Sequence, residues 1–329
     1  MKVLLYGIGS CYKVYRNTLN VLNQEGIIDI VGIADKSLSG KDEYQGHKIY
    51  SIEEIVARQD EIDSIFICAT GLAAKSIQED LYNNGIHIKT ECLDDYQLTK
   101  SKFRELNKKQ IDKQLSVIQT ILDSSDEEIC DVNWMCQRIM EFGIYPFSSG
   151  GEDEIYQYCG LQQIPMEFAQ LCTLLAKAEI NTAMEIGVYR GRSSYFMCAV
   201  LSRKNPNLKY HMVDIANMLD EFEAFYKVLP QLIIHIPSSS DDFEGHSYDF
   251  VFIDADHSYD GSINDYEKVG KYAGKILAFH DVFAHEYDHE NGGTVKMWNE
   301  VKSNYSESQI KEFSECDKKW MGIGVVTFE

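Results

Sequence analysis

Thr182-Ala183-Met184-Glu185-Ile186-Gly187-Val188-Tyr189-Arg190-Gly191-Arg192-Ser193 is the stretch that decides the fold. A strand-sized apolar run ends in an acid and a glycine, and a second glycine, Gly191, opens a helical pattern over Ser193–Leu201. A buried strand, a glycine turn and a helix are the first step of an open parallel α/β sheet. Gly187 carries no Cβ, so a ligand can approach the backbone, and Gly191 relieves crowding where the helix begins. Asp214 ends the next strand, Tyr210–Asp214, 29 positions after Glu185. In a doubly wound sheet that position receives the hydroxyls of a ribose. A structural glycine turn with an exposed strand-end aspartate is the plainer alternative.

Downstream the alternation continues. A helix over Asn217–Val228 and a strand over Leu232–Ile236 are followed by a strand over Tyr248–Asp254. That strand runs into Asp254-Ala255-Asp256-His257-Ser258-Tyr259-Asp260-Gly261, two acids and a histidine at the sheet edge where such folds bind ligands. A helix over Gly261–Val269 and a strand over Ile276–His280 bring a third cluster, Phe279-His280-Asp281-Val282. Neighbouring parallel strands would gather Asp254, His257, His280 and Asp281, which could hold a divalent metal and supply a general base, or be hydrogen-bonded loop polars. In His285-Glu286-Tyr287-Asp288-His289-Glu290-Asn291-Gly292-Gly293, His285 and His289 could bind a metal if helical; the two glycines point to a lid or plain loop. Tyr189, Tyr259, Tyr287 and Trp298 could stack on a ring or serve as core and rim. A helix over Val295–Asn304 and strands near Ile310–Phe313 and Gly322–Phe328 close the chain.

Upstream, residues 1–98 make a second α/β pattern. Val3–Tyr6, Ile28–Ala34, Ile65–Ala69 and Ile86–Lys89 read as strands, with helices between them. Gly7-Ile8-Gly9 starts a dinucleotide fingerprint that lacks its third glycine, since Tyr12 stands there, and Asp35 follows the second strand. Gly7, Gly9 and Asp35 are therefore candidates for a second nucleotide. Residues 99–160 form the connection: an amphipathic helix carries Phe103, Leu106, Ile111, Leu115, Ile118 and Leu122, and residues 124–160 read as irregular, with Ser148-Ser149-Gly150-Gly151 as linker. The helix stripe could be a seam between two copies of the chain or could pack on its own domain. Residues 161–329 then form the third segment. The expected architecture is two Rossmann-like doubly wound sheets joined by a helical segment.

The chain has 329 residues, enough for about two domains at roughly 150 residues each. With 31 Lys+Arg against 52 Asp+Glu its net charge is −21, which disfavours nucleic acid and anionic membranes as partners. The excess is uneven: residues 1–150 carry 16 basic and 23 acidic side chains, residues 151–329 carry 15 and 29. Apolar runs such as Phe250–Ile253 are far short of the roughly 20 residues a membrane span needs. The first residues read as a strand, not a signal peptide, so a cytoplasmic location is expected. Nine cysteines, at 11, 68, 92, 130, 136, 159, 172, 198 and 316, never fall as Cys-x-x-Cys and are expected to be reduced thiols.

Glu185–Gly191, Phe252–Gly261 and Phe279–Val282, with Gly293–Glu300 and Gly322–Val326, resemble class I S-adenosylmethionine-dependent methyltransferases. The resemblance is to small-molecule O-methyltransferases, the group of the macrocin, mycinamicin and rhamnosyl enzymes and the cephalosporin-biosynthesis protein CmcI. It covers residues 161–329 and implies a sheet with an antiparallel last strand. It also implies S-adenosylmethionine as cofactor and a sugar or glycosylated metabolite as methyl acceptor. Glu185, Gly187 and the turn through Tyr189, Gly191 and Ser193 would contact the methionine part, Asp214 the ribose, and Ser239, Ser240 and Asp241 the adenine. Asp254 would border the cofactor and bind a metal with Asp281, and His257 would deprotonate the acceptor. His280 departs from the all-oxygen pattern of the metal-dependent members, which fits a softer metal or none.

Val3–Gly9, Val31–Asp35, Gly46–Tyr50 and Ser64–Ala69 resemble Rossmann-type domains of sugar-nucleotide and polysaccharide-biosynthesis proteins. That implies a nucleotide or nucleotide-sugar in the first half, or a docking domain. The other readings of the whole chain are a non-catalytic binding or assembly protein and an NAD-dependent sugar-modifying enzyme.

Overall fold

Val3-Leu4-Leu5-Tyr6 is apolar at every position because its strand is buried on both faces. The computed structural model describes residues 1–69, 71–93, 97–145, 159–219, 221–314 and 320–328. They fall into two units, Met1–Lys109 and, from Gln110 onward, Gln110–Tyr145 with residues 159–328. The expected linker at residues 148–151, and Cys316, lie outside the described residues.

The first unit runs β1 (Lys2–Tyr6), α1 (Ser10–Gln24), β2 (Asp29–Ala34), the small hairpin β3 (Glu43–Tyr44) and β4 (His47–Lys48), and α2 (Ile52–Ala57). Then come β5 (Ser64–Ile67), α3 (Gly71–Asn83), β6 (Thr90–Cys92) and α4 (Gln97–Leu122), which begins here and continues in the second unit. The sheet is parallel, in the order β2-β1-β5-β6. Val3, Leu5 and Phe66 pack with Tyr15, Leu19 and Leu22 of α1, and Leu4, Ile65 and Ile67 with Ile55 of α2 and Leu81 of α3. Period-two alternation thus puts a helical layer on each face.

The last strand of this sheet differs from expectation. Ile86–Lys89 is not a strand; β6 begins at Thr90, paired with Ile65. Ile86 and Ile88 are apolar because they pack into the core beside α3.

The second unit continues with α5 (Asp126–Ile129), α6 (Val132–Phe142), α7 (Pro165–Lys177), β7 (Thr182–Ile186), α8 (Arg192–Lys204), β8 (Lys209–Val213), α9 (Phe222–Tyr226) and β9 (Leu232–His235). It ends with β10 (Phe250–Ile253), α10 (Tyr259–Lys268), β11 (Ile276–His280), α11 (Gly293–Lys302), β12 (Ile310–Phe313) and β13 (Ile323–Thr327). The sheet order is β12-β13-β11-β10-β7-β8-β9, with β13 antiparallel to both its neighbours. Two doubly wound α/β sheets, the second with an antiparallel last strand, are the architecture.

Two stretches of this unit depart from the sequence reading. Within the stretch expected to be irregular, Asp126–Ile129 and Val132–Phe142 are helical: Ser125 and Glu128 form a capping box, and Asp131 Oδ1 accepts from Trp134 N at 2.7 Å. Met135, Ile139 and Phe142 then follow at helical spacing and are fully buried, each worth roughly 1.5–3 kcal/mol. The helix expected over Asn217–Val228 is only α9, five residues long.

Gln110 and Gln114 of α4 are buried and donate to the Phe142 carbonyl at 2.6 and 3.1 Å, and Gln114 also to that of Cys159 at 2.8 Å. None of the eight described cysteines forms a disulfide, and no helix among the described residues is long and apolar enough to cross a membrane.

Candidate active site

The strand order of the second sheet reverses between β7 and β10, and ligands of such sheets bind outside the carboxyl ends at that point. A cavity of about 600 Å³ opens there. Gly187, Tyr189, Ser193, Asp214, Ser239, Ser240, Asp254 and His257 are on its wall, whereas Glu185, Gly191 and Asp241 are not.

Gly187 follows β7 at φ 86°, and a Cβ there would collide with the backbone carbonyl of Asp254. Its glycine lets the ends of β7 and β10 close on each other, a packing reason that precedes any ligand. Gly191 sits at φ 82° as the N-cap of α8, where a Cβ would lie 2.6 Å from the Tyr195 ring. Between them Tyr189 adopts φ 46°, and its N–H donates to Asp214 Oδ2 at 2.8 Å. Asp214 Oδ1 accepts from Ala216 N at 3.0 Å, so this carboxylate braces the turn from the neighbouring strand.

Glu185 is fully buried behind the cavity. Its oxygens accept from Ser193 and Ser194 at 2.5 Å each and from Tyr210 at 2.8 Å. Burial outweighs those three donors and pushes its carboxyl up to about 7. It anchors the start of α8 to β7 and β8.

The strand-end acids and histidines do converge. His257 Nε2 lies 2.9 Å from Asp281 Oδ2 and 3.7 Å from Asp254 Oδ1; His280 Nδ1 is 3.1 Å from Asp254 Oδ1 and 3.5 Å from Asp281 Oδ2. Burial opposes charge on His257, but the two carboxylates prevail and raise it to about 10. They likewise raise His280, and the histidines hold both aspartates below the usual carboxylate range. Asp281 itself stands at φ 60°, a conformation worth of order 1–3 kcal/mol of strain in a non-glycine residue. Thr294 Oγ1 holds its carbonyl at 2.7 Å.

One donor atom each from Asp254, His280 and Asp281 lies within 4.8 Å of the others, and His280 Nε2 is buried with no hydrogen-bond partner. A nitrogen beside two carboxylates fits a divalent transition ion better than magnesium.

His285 and His289 are not a metal pair. His285 Nδ1 pairs with Asp288 at 3.0 Å and His289 Nδ1 with the Glu286 carbonyl at 2.8 Å, both exposed in a loop with one short helical turn. That loop lays Tyr287 over His257, ring centroids 4.5 Å apart. Trp298 belongs to the core, bonded to Glu312 at 2.6 Å.

Two wall residues were not legible in sequence. Gln163, 2% exposed, donates Nε2 to Asp254 Oδ2 at 2.9 Å from 91 residues away. Asp265 of α10 accepts from Ser240 Oγ at 2.6 Å.

In the first unit Asp35 repeats the bracing seen at Asp214. Its Oδ2 accepts from Ile8 N at 2.9 Å and its Oδ1 from Ser37 N at 2.7 Å, and Gly7 stands at φ 100°. A cavity of about 840 Å³ borders Asp35 but neither Gly7 nor Gly9.

Residues 184–282 match the model of a family described as a methyltransferase domain. Among solved structures the chain is similar to the O-methyltransferase TomG from Streptomyces achromogenes, involved in tomaymycin synthesis and solved with SAM. Identity is 16% over 51% of this chain and 82% of that one, with a TM-score of 0.39. It is also similar to an O-methyltransferase from Bacillus cereus solved with SAH, at 14% identity over 51% and 83% of the two chains and a TM-score of 0.37. A third similarity is to a SAM-dependent O-methyltransferase from Thermotoga maritima, at 16% identity over 51% and 67% and a TM-score of 0.36. No curated protein matches. Residues 184–282 of the second unit carry a methyltransferase domain.

Proposed function

We propose that the protein methylates a hydroxyl of a sugar or glycosylated small metabolite, with His257 taking the hydroxyl proton. The observation that carries this reading is the place of His257, on the cavity wall four residues past the end of β10 and 2.9 Å from Asp281. The cofactor would lie along the Gly187–Ser193 turn, its ribose at Asp214 and its adenine toward Ser239, Ser240 and Asp241. The sulfonium's S–CH3 bond breaks as the O–CH3 bond forms, leaving a neutral thioether and passing one proton to the imidazole. Tyr287 covers the outer face of that imidazole and limits water beside it. A glycosylated acceptor is supported by the likeness of Phe252–Gly261 to the macrolide-sugar enzymes.

Asp254, His280 and Asp281 would hold a divalent cation, and the convergence of one donor atom from each within 4.8 Å supports this. Such a cation would neutralise the carboxylates and polarise the acceptor hydroxyl. In the first unit, the Asp35 brace supports a nucleotide or nucleotide-sugar as ligand.

Transfer of isotope-labelled methyl from S-adenosylmethionine to a panel of glycosides tests the reading. Label on a glycoside oxygen, lost with chelator and restored by manganese, is expected. Label carried only by nitrogen or carbon overturns the acceptor class, and turnover indifferent to chelation overturns the cation.

A further inference from the structure

Gln163 is 2% exposed and stands on the cavity wall, yet half of its amide is idle. Nε2 donates to Asp254 Oδ2 at 2.9 Å, whereas Oε1 is buried with no hydrogen-bond partner among the described residues. A carboxylate only accepts, so the amide turns its nitrogen toward Asp254 and leaves its oxygen unpaired. A buried acceptor without a donor costs stability. An apolar side chain of the same length would avoid that cost, so what the amide gains lies at Asp254 and not in the fold.

The segment that carries Gln163 is held on several sides. Leu161 bridges Ile144: Tyr145 N donates to the Leu161 carbonyl at 2.7 Å, and Leu161 N to that of Gly143 at 2.8 Å. The Cys159 carbonyl accepts from Gln114 Nε2 at 2.8 Å and from Arg192 Nε at 2.7 Å. Gly160 packs so closely that a Cβ would lie 2.4 Å from the Ile144 carbonyl carbon. The next residue, Ile164, caps α7, with Pro165 at its first position. Gln163 therefore reaches Asp254 from a fixed base. Asp254 N donates to the Ile186 carbonyl at 2.9 Å, and its Oδ1 lies 3.1 Å from His280 Nδ1. With Oδ2 engaged by Gln163, Oδ1 is the oxygen turned toward His280.

We propose that Gln163 is a positioning residue, whose amide fixes the Asp254 carboxylate so that Oδ1 alone is presented to His280, Asp281 and the cation. This rests on the reading of that cluster as a cation site, which the experiment tests separately. Gln163→Met keeps the length of the side chain and removes the donor; Gln163→Leu serves should the methionine variant fail to fold. Manganese titration of the full chain by calorimetry is expected to weaken about 10–100-fold in the variant. The denaturant midpoint without metal is expected to stay equal or rise, because the unpaired oxygen is gone. The ring nitrogen resonances of His280, recorded without metal, are expected to move as Asp254 loses its hold. Equal manganese affinity in wild type and folded variant overturns the assignment. So does a lowered midpoint with unmoved His280 resonances, which is what a merely structural role would give. A wild type that binds no manganese overturns the cation instead; moved His280 resonances then still uphold the role of Gln163, and unmoved ones overturn it.

Discussion

His257 and Glu185 show how burial and charge set two side chains to different tasks. His257 sits between two carboxylates and, with nothing else beside them, keeps its proton to about 10. Its use as a base at neutral pH therefore requires the carboxylate charge to be balanced. His257→Ala is expected to lower turnover by about 10²–10⁴-fold while leaving S-adenosylhomocysteine affinity unchanged, as read from kcat beside a calorimetric Kd. Turnover that survives the change removes His257 from the chemistry. Glu185 has no access to the cavity, and its raised carboxyl bears on stability. The folded state holds this proton more tightly than the unfolded chain, so the contribution is complete below about 4.5 and is lost as pH rises through about 7. Between pH 4 and pH 8 the loss is roughly 3 kcal/mol. Glu185→Gln is expected to flatten that part of the pH dependence of denaturant midpoints; identical profiles for variant and wild type would contradict it. At this scale the sequence was informative where chemistry sits at strand ends. Asp254, His257, His280 and Asp281 follow apolar runs, so their convergence can be read from the pattern. Gln163 and Asp265 could not be read so: the first acts 91 residues from its partner, and the second lies on a helix whose polar pattern does not mark which acid faces inward.

The elements matter through the closeness of β7 and β10. Gly187 lets their ends meet, and a methyl group there would strike the Asp254 carbonyl. Gly187→Ala is expected to destabilise the fold by about 2–4 kcal/mol, from backbone collision and positive φ together. It should also displace Asp254 and so weaken cation binding. Denaturation and manganese titration check the two effects, and a variant as stable as wild type would refute the packing argument. Glycine at this turn was readable in sequence, but its reason was not, because the colliding atom belongs to another strand. Helix α6 was missed for a different cause. Its cap at Asp131 and its buried Met135, Ile139 and Phe142 were present, but the charged Asp126–Asp131 segment and the following Ser-Gly run made the region look irregular. Ile86–Lys89 reads as a strand in sequence because buried apolar pairs in a loop carry the same alternation as a strand.

Across the whole chain, two α/β units repeat one device. Asp35 and Asp214 each follow the second strand of their unit, and each accepts a backbone N–H from the preceding glycine turn, at 2.9 and 2.8 Å. The alternation of strands and helices made both sheets legible, as did the antiparallel close implied by the methyltransferase resemblance. The acidity first read as diffuse has a local part: Asp214, Asp254, Asp256 and Asp265 all line the one cavity, a setting suited to a sulfonium cofactor. Titration of the full chain with S-adenosylhomocysteine in a calorimeter, for wild type, Asp214→Ala and Asp35→Ala, tests this account most directly. It predicts one cofactor site per chain, weakened about tenfold or more by Asp214→Ala and untouched by Asp35→Ala. No binding, or equal affinity in wild type and Asp214→Ala, would contradict it.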